Sequence, residues 1–386
     1  MSTAASSATL RRTPFHDFHA SHGAKLVDFA GWEMPLHYGS IIDEHRQVRA
    51  SGGLFDVSHM GRFRFRGRDA RAFLDRVCTR QIWGMEDGQA RYSMVCNASG
   101  GVKDDVLVYR LADGEYLMVC NAANRLKLIE HFEVVKTESG HVFKFEDETE
   151  STAMIALQGP KVMDVLSQFS SEVPALKRYR FTVKNLLIAK VIISRTGYTG
   201  EDGVEVILPA KFAAKAVDML LKNIDLDASD APVRPAGLGA RDSLRLEAGM
   251  ALYGHEITEE IDPVSAGLDF AIKYDKSEDP RTSPAEVGRF IGQDILQNLK
   301  THGTTRKLAG LVLEGRRSAR QGMKVYNSNQ EIGIITSGVN SPTLGRCIAM
   351  AYLDTAHATI GGRVEVDLGR ARDRAEVVAL PFYKAK

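Results

Sequence analysis

Two carboxylates stand side by side in "NASGGVKDDVLVYR", residues 97–110. Gly100 and Gly101 signal a turn, and the apolar run Val106 to Tyr109 signals a strand entering a core. Consecutive strand side chains point to opposite faces, so Asp104 and Asp105 diverge. One of them can reach solvent or an ion pair, which leaves the other in want of a role. A third acid, Glu205, lies between Val204 and Val206 in a strand-like run. A carboxylate buried there needs donors, and a ligand can supply them. Arg241 and Arg245 stand four apart in "GLGARDSLRLEAGMALYGHE" (237–256), which reads as an amphipathic helix. They repel unless Asp242, Glu247 or a ligand offsets them. Asn121 follows the apolar strand "EYLMVC" closely, either to meet a ligand or to cap the next helix. Met60, at the polar end of "FDVSHMGR" (55–62), suits a core or a pocket wall. "RTGYTGEDGVEV" (195–206) sets three glycines around Tyr198 and reads as a hairpin with Glu201 and Asp202 in solvent.

Other chemistries find little support. "HDFHASH" places His16, His19 and His22 three apart, a spacing that drifts around a helix and favours surface or capping roles over metal. "GLGARD" (237–242) begins like a dinucleotide fingerprint but lacks its third glycine and a strand before it. No G-x-x-x-x-G-K-[ST] loop and no G-x-S-x-G elbow occurs. Cys78, Cys96, Cys120 and Cys347 are scattered, which argues against disulfides and a zinc ribbon and fits a reducing compartment.

The elements that must hold these residues alternate between short strands and helices. Runs such as "GRFRFRG", "DVLVYRL", "EYLMVC" and "LLIAKVIISRTGYTG" interleave with helical stretches over 68–78, 122–135 and 239–248, an α+β pattern. The polar stretch 275–289, with two prolines, reads as a linker or long loop. After residue 305, six short strand-like runs with Gly and Asn turns predict a C-terminal β-barrel or sandwich. With 386 residues, 44% hydrophobic and 26% charged, the chain has room for two or three domains. The expected division is a tail over 1–12, a region over 13–290 made of two subdomains, and a barrel over 291–386. A net charge of +1 gives no electrostatic case for nucleic acid or an anionic membrane, and no apolar run reaches spanning length. "MSTAASSATLRR" has the acid-free, Arg-ended flavour of a mitochondrial presequence, or is a disordered tail.

Taken in order, "TPFHDFHASHGAKLVDFAGWEMPLHY", "GLFDVSHMGR", "NASGGVKDDVLVYR", "ALQGP", "SRTGYTGEDGVEV", "ARDSLRLEAGMALYG", "FIG" and "LPFY" resemble the aminomethyltransferases, the T-proteins of the glycine cleavage system. The resemblance runs from about residue 13 to the end. It implies a multi-domain folate-binding aminomethyltransferase fold ending in a β-barrel. It also implies an activity: an aminomethyl group is taken from the lipoyl arm of H-protein, ammonia is released, and tetrahydrofolate becomes 5,10-methylenetetrahydrofolate. The expected partners are lipoylated H-protein, glycine decarboxylase and dihydrolipoamide dehydrogenase; the co-substrate is tetrahydrofolate, with no metal.

By the same resemblance the second acid of the pair, Asp105, is the essential aspartate, and Asp104 faces away from the folate. Glu205 matches the acid that meets the pterin edge, whose N3–H and 2-amino group suit a bidentate carboxylate. Arg241 matches the folate-site arginine. Met60, Tyr92, Asn121 and Tyr198 fall on matching wall positions, and Tyr383 is matched to a C-terminal tyrosine of the site. Phe270 stands where relatives often carry Trp, so stacking is kept and an indole donor lost. Two rivals share the scaffold. A folate-binding module of iron–sulfur assembly carries a "KGCYxGQE"-like signature, and "RTGYTGEDGVE" has no cysteine. A folate-dependent demethylase of small methylamine donors is often fused to a flavoprotein, and this chain has no dinucleotide fingerprint. The leader fits the mitochondrial matrix; a frayed N-terminus fits the bacterial cytoplasm.

Overall fold

A computed structural model describes residues 9–186, 189–276 and 289–385. Most of the leader and nearly all of the expected linker fall outside the described residues.

Three sheets and a closed barrel make up the architecture. A five-stranded antiparallel sheet runs in the order Gln89–Cys96, Val102–Ala112, Glu115–Cys120, Gly61–Arg66, Lys144–Asp147. A six-stranded sheet runs Phe181–Leu186, Ala189–Ser194, Gly203–Pro209, Thr152–Gln158, Gly53–Asp56, Arg234–Pro235. Alternation along their strands sends Phe55, Tyr109, Leu117, Val119, Ile192 and Ile207 into one shared apolar layer, joined by Leu244. The six runs after residue 305 close into the expected barrel, in the order Arg306–Leu313, Arg346–Asp354, Gln330–Ser341, Lys324–Asn327, Arg363–Asp367, Arg372–Val378. Closure leaves that sheet no open edge.

The α+β reading therefore holds, with three local corrections. The helix read over 237–256 ends at Glu247. Gly249 turns the chain with φ +63°, where a Cβ would crowd Pro381, and residues 250–268 continue as irregular chain. A two-residue strand, Arg234–Pro235, does precede that helix. Glu201, read as a solvated hairpin acid, is only 7% exposed and pairs with Arg49 at 2.7 Å.

The histidine run resolves similarly. His19 is 1% exposed, bonded to Asp56 at 2.8 Å and to the Tyr38 hydroxyl at 2.7 Å. His16 meets Glu33 at 2.8 Å, and His22 stacks on Phe18. Among the described residues no cluster of His, Cys, Asp and Glu has the makings of a metal site, and no helix is long and apolar enough to cross a membrane.

Candidate active site

A cavity of about 660 Å³ opens beside the shared apolar layer. The strand Val102–Ala112 delivers Asp105 to its wall, and the neighbouring strands deliver Tyr92 and Val119. The end of Glu115–Cys120 then places Asn121 over the acid pair. Asn121 Nδ2 donates to Asp104 Oδ1 at 2.8 Å and to Asp105 Oδ1 at 2.7 Å. The acids diverge as alternation requires, yet one amide bridges them. Asp104 is fully buried and also accepts from the Asn121 N–H at 2.9 Å and from Asn124 Nδ2 at 2.6 Å. Asp105 stays on the cavity wall and accepts from the Tyr92 hydroxyl at 3.1 Å. Burial pushes both carboxyls above the ordinary range, and the charge on Asp105 pushes Asp104 further. The two titrate as a pair.

On the opposite wall, Glu205 accepts from Thr196 Oγ1 at 2.6 Å, and Thr196 is itself held by Ser194 at 2.9 Å. The short helix Leu238–Glu247 brings Arg241 alongside. Its guanidinium carbon lies 5.0 Å from the centre of the Tyr198 ring, and its buried Nη1 has no hydrogen-bond partner among the described residues. Burial pushes its pKa down and the charge of Glu205 pushes it back up. Tyr198 fixes its own hydroxyl on the Ala251 carbonyl. Arg245, one turn further, is answered by Glu256 at 2.7 Å and Asp242 at 2.8 Å, so the repulsion expected of the arginine pair is relieved within the protein.

Seven of the eight residues singled out in the sequence thus line one cavity: Met60, Tyr92, Asp105, Asn121, Tyr198, Glu205 and Arg241. Tyr383 does not. It lies against Arg49, the guanidinium carbon 3.9 Å from its ring centre, and its N–H bonds the Glu247 carbonyl at 2.8 Å. Phe270 lines the mouth, 62% exposed, and stacks on Tyr92 with centroids 6.0 Å apart. The cavity also includes Thr196, His59 and Tyr179, which the sequence left unmarked. Thr196 and His59 were within reach, since each sits in a motif already noted. Tyr179 carries no signal, because its place depends on a left-handed turn at φ +59°.

Comparison with known proteins decides the family. Residues 15–276 match the GCVT N-terminal domain, and residues 306–384 match the glycine cleavage T-protein C-terminal barrel domain. The chain belongs to the aminomethyltransferase family. An aminomethyltransferase of Rubrobacter xylanophilus is 45% identical over 379 residues, 98% of this chain and 95% of that protein. One from Saccharopolyspora erythraea is 42% identical, with 97% and 98% covered. The crystal structure of glycine cleavage system aminomethyltransferase T from Bartonella henselae superposes with a TM-score of 0.87 at 32% identity, covering 97% of this chain and 98% of that one. As an aminomethyltransferase of the glycine cleavage system, the protein is a tetrahydrofolate-dependent transferase that forms 5,10-methylenetetrahydrofolate and releases ammonia. The family acts with H-protein.

Proposed function

We propose that tetrahydrofolate enters this cavity with its pterin between Glu205 and Arg241 and its reacting nitrogens beside Asp105. The bridged acid pair carries the reading. Asp105 is a carboxylate fixed by Asn121 and Tyr92 on the wall of a mostly apolar cavity. In the reaction the carbon leaves sulfur and ammonia and forms bonds to N5 and N10 of the folate. The two protons displaced from those nitrogens leave with ammonia and the lipoyl thiol. Breaking the C–S bond first leaves an iminium cation and breaking the C–N bond first leaves its sulfur-stabilised counterpart, and a fixed carboxylate in a low-dielectric site stabilises either. The same carboxylate can hold N5 or N10 in attack geometry and relay a proton. Glu205, oriented by Thr196, suits the two parallel donors of the pterin edge. Arg241 Nη1, without a partner among the described residues, leaves a donor for ligand oxygen. Tyr92 and Phe270 offer stacked aromatic faces to the middle of the ligand.

The carrier in this proposal is lipoylated H-protein, working with glycine decarboxylase and dihydrolipoamide dehydrogenase, and no metal takes part. The relatives described above are bacterial, which supports the bacterial cytoplasm over the mitochondrial matrix. Neither a folate-binding module nor a methylamine demethylase is favoured by any feature of the cavity.

The test is methylenetetrahydrofolate formation from aminomethyl-loaded H-protein. Asp105→Asn should lower kcat by about 10²–10³-fold while folate still binds. Glu205→Gln should instead weaken folate affinity. Full activity in the first variant would overturn the role of Asp105, and unchanged affinity in the second would overturn the pterin-edge role.

A further inference from the structure

Four tyrosines line the cavity, Tyr92, Tyr179, Tyr198 and Tyr253, and their hydroxyls are engaged differently. Tyr92 gives its proton to Asp105 at 3.1 Å, and Tyr198 gives its proton to the Ala251 carbonyl. Tyr179 is 48% exposed. Tyr253 has another arrangement. Its oxygen accepts from Lys127 Nζ at 2.7 Å, and the ammonium lies 4.5 Å from the centre of its ring. An ammonium only donates, so that bond leaves the phenolic hydrogen unused. Among the described residues this hydrogen has no acceptor.

The surroundings hold this pair close to the two acids. Lys127 sits in the first turn of the helix Arg125–Ser139, and Tyr253 sits on the irregular chain after Gly249. Further along that chain, Glu259 meets Lys127 at 3.0 Å and Lys103, the neighbour of Asp104, at 3.3 Å. Burial lowers the pKa of Lys127, but Tyr253 and Glu259 outweigh burial and keep the ammonium charged. Burial raises the pKa of Tyr253, Glu259 and Asp104 act in the same sense, and Lys127 acts against them. The phenol therefore keeps its proton at neutral pH, with a cation touching the oxygen that would carry the charge. The cavity histidines offer no such proton. His255 commits its Nδ1 proton to the Thr336 carbonyl at 3.0 Å, and burial pushes His59 down to about 4, which leaves its ring neutral.

The reaction has a need of this kind. Asp105 stabilises the cation that forms at carbon, but as an anion it has no proton for the sulfur that departs. We infer that Tyr253 is the proton donor to the lipoyl sulfur, with Lys127 stabilising the phenolate that results. The C–S bond breaks, its electron pair stays on sulfur, and the phenolic proton joins it to form the thiol. The carbon becomes an iminium ion, N5 of the folate attacks it, and the proton that N5 loses restores the phenol. The second proton, from N10, leaves with ammonia. Lys127 keeps its own proton throughout. The inference rests on the cavity being the site where tetrahydrofolate meets the aminomethyl arm.

Single-turnover transfer from aminomethyl-loaded H-protein to tetrahydrofolate tests it on the full chain. Tyr253→Phe should lower the rate by about 10²-fold, while folate affinity, KM for H-protein and melting temperature stay at their wild-type values. Lys127→Met should lower the rate about tenfold, and Lys127→Arg should restore most of it. Replacing Tyr253 by 3,5-difluorotyrosine, a stronger acid, should move the alkaline limb of the pH–rate profile to lower pH, because only the protonated phenol can donate. A wild-type rate in Tyr253→Phe, or a limb that fluorination leaves in place, would overturn the inference. So would a raised KM for H-protein at an unchanged rate, since Tyr253 would then only seat the arm. If Tyr253→Phe fails to fold, the fluorinated protein and the Lys127 variants decide between the same two outcomes. Failure of tetrahydrofolate to bind the wild type would remove the cavity reading itself, a result distinct from transfer that ignores Tyr253.

Discussion

Asn121 is the residue on which the two acids depend, since its single amide nitrogen restrains both Asp104 and Asp105. Asp105 must be ionised to stabilise a cation, and burial raises its pKa. The sign follows directly: the working carboxylate is lost at a higher pH than the ordinary value of about 4. The acid limb of kcat should therefore lie above the ordinary carboxylate range. Asn121→Ala removes a donor to the charged form, so the limb should move further up and kcat should fall about ten- to a hundredfold. Asp104, pushed up to about 8 by burial and by the charge on Asp105, is still protonated where Asp105 titrates, so Asp104→Asn should leave the limb close to its place. Superimposable pH–rate profiles for the wild type and Asn121→Ala would show that this ionisation does not limit the rate. Strand alternation was enough to say that the acids diverge. It could not show that one amide reaches both, because Asn121 is 16 and 17 residues away and arrives across the sheet. Tyr383 shows the opposite limit: its match to the family's site tyrosine did not carry its side chain to the cavity wall.

Among elements, the turn that feeds the Asp105 strand is constrained from outside the sheet. A Cβ on Gly101 would stand 1.8 Å from the Glu259 carbonyl oxygen, a backbone atom with little freedom to retreat. Val102 anchors the same contact, its N–H reaching the Thr258 and Ile261 carbonyls at 2.8 and 3.0 Å. The loop it touches continues to Leu268 and Phe270 on the cavity wall. Gly101→Ala should thus lower stability by about 1–3 kcal/mol in denaturant titrations and reduce activity with it. Gly39→Ala, where the Cβ meets open space, should stay within about 0.5 kcal/mol. Equal effects at the two positions would show that the contact does not constrain the strand. The glycine pair read as a turn from sequence alone, and so it is. Its partner loop was invisible, because the chain beyond Glu247 reads as a continuing amphipathic helix until Gly249 is seen to break it.

At the scale of the molecule, the six barrel strands were legible because each carries an apolar run and most are bounded by Gly or Asn turns. How the barrel meets the rest was not, since that contact joins residues some 90 positions apart. Much of it converges on Glu247, whose side chain is fully buried. One oxygen accepts from Arg49 Nη2 at 2.9 Å and lies 3.2 Å from His45 Nε2; the other accepts from Ser341 Oγ at 2.5 Å and the Thr343 N–H at 3.1 Å. Three parts of the chain therefore share one carboxylate, at the end of the helix that also carries Arg241 and Arg245. Burial pushes its pKa up, but His45, Ser341 and Thr343 outweigh burial and hold it down to about 2. A group depressed on folding contributes stability that is complete above its unfolded pKa and lost as pH falls toward the folded one. For Glu247 that window runs from about 4.5 down to about 2, and the loss amounts to about 3 kcal/mol. Glu247→Gln should lower the melting temperature at pH 7, because it leaves Arg49 with less buried counter-charge. The same variant should lose less on acidification than the wild type, so the two melting curves should converge between pH 4.5 and pH 2. Parallel losses across that window would mean that the carboxylate is not what the barrel contact depends on.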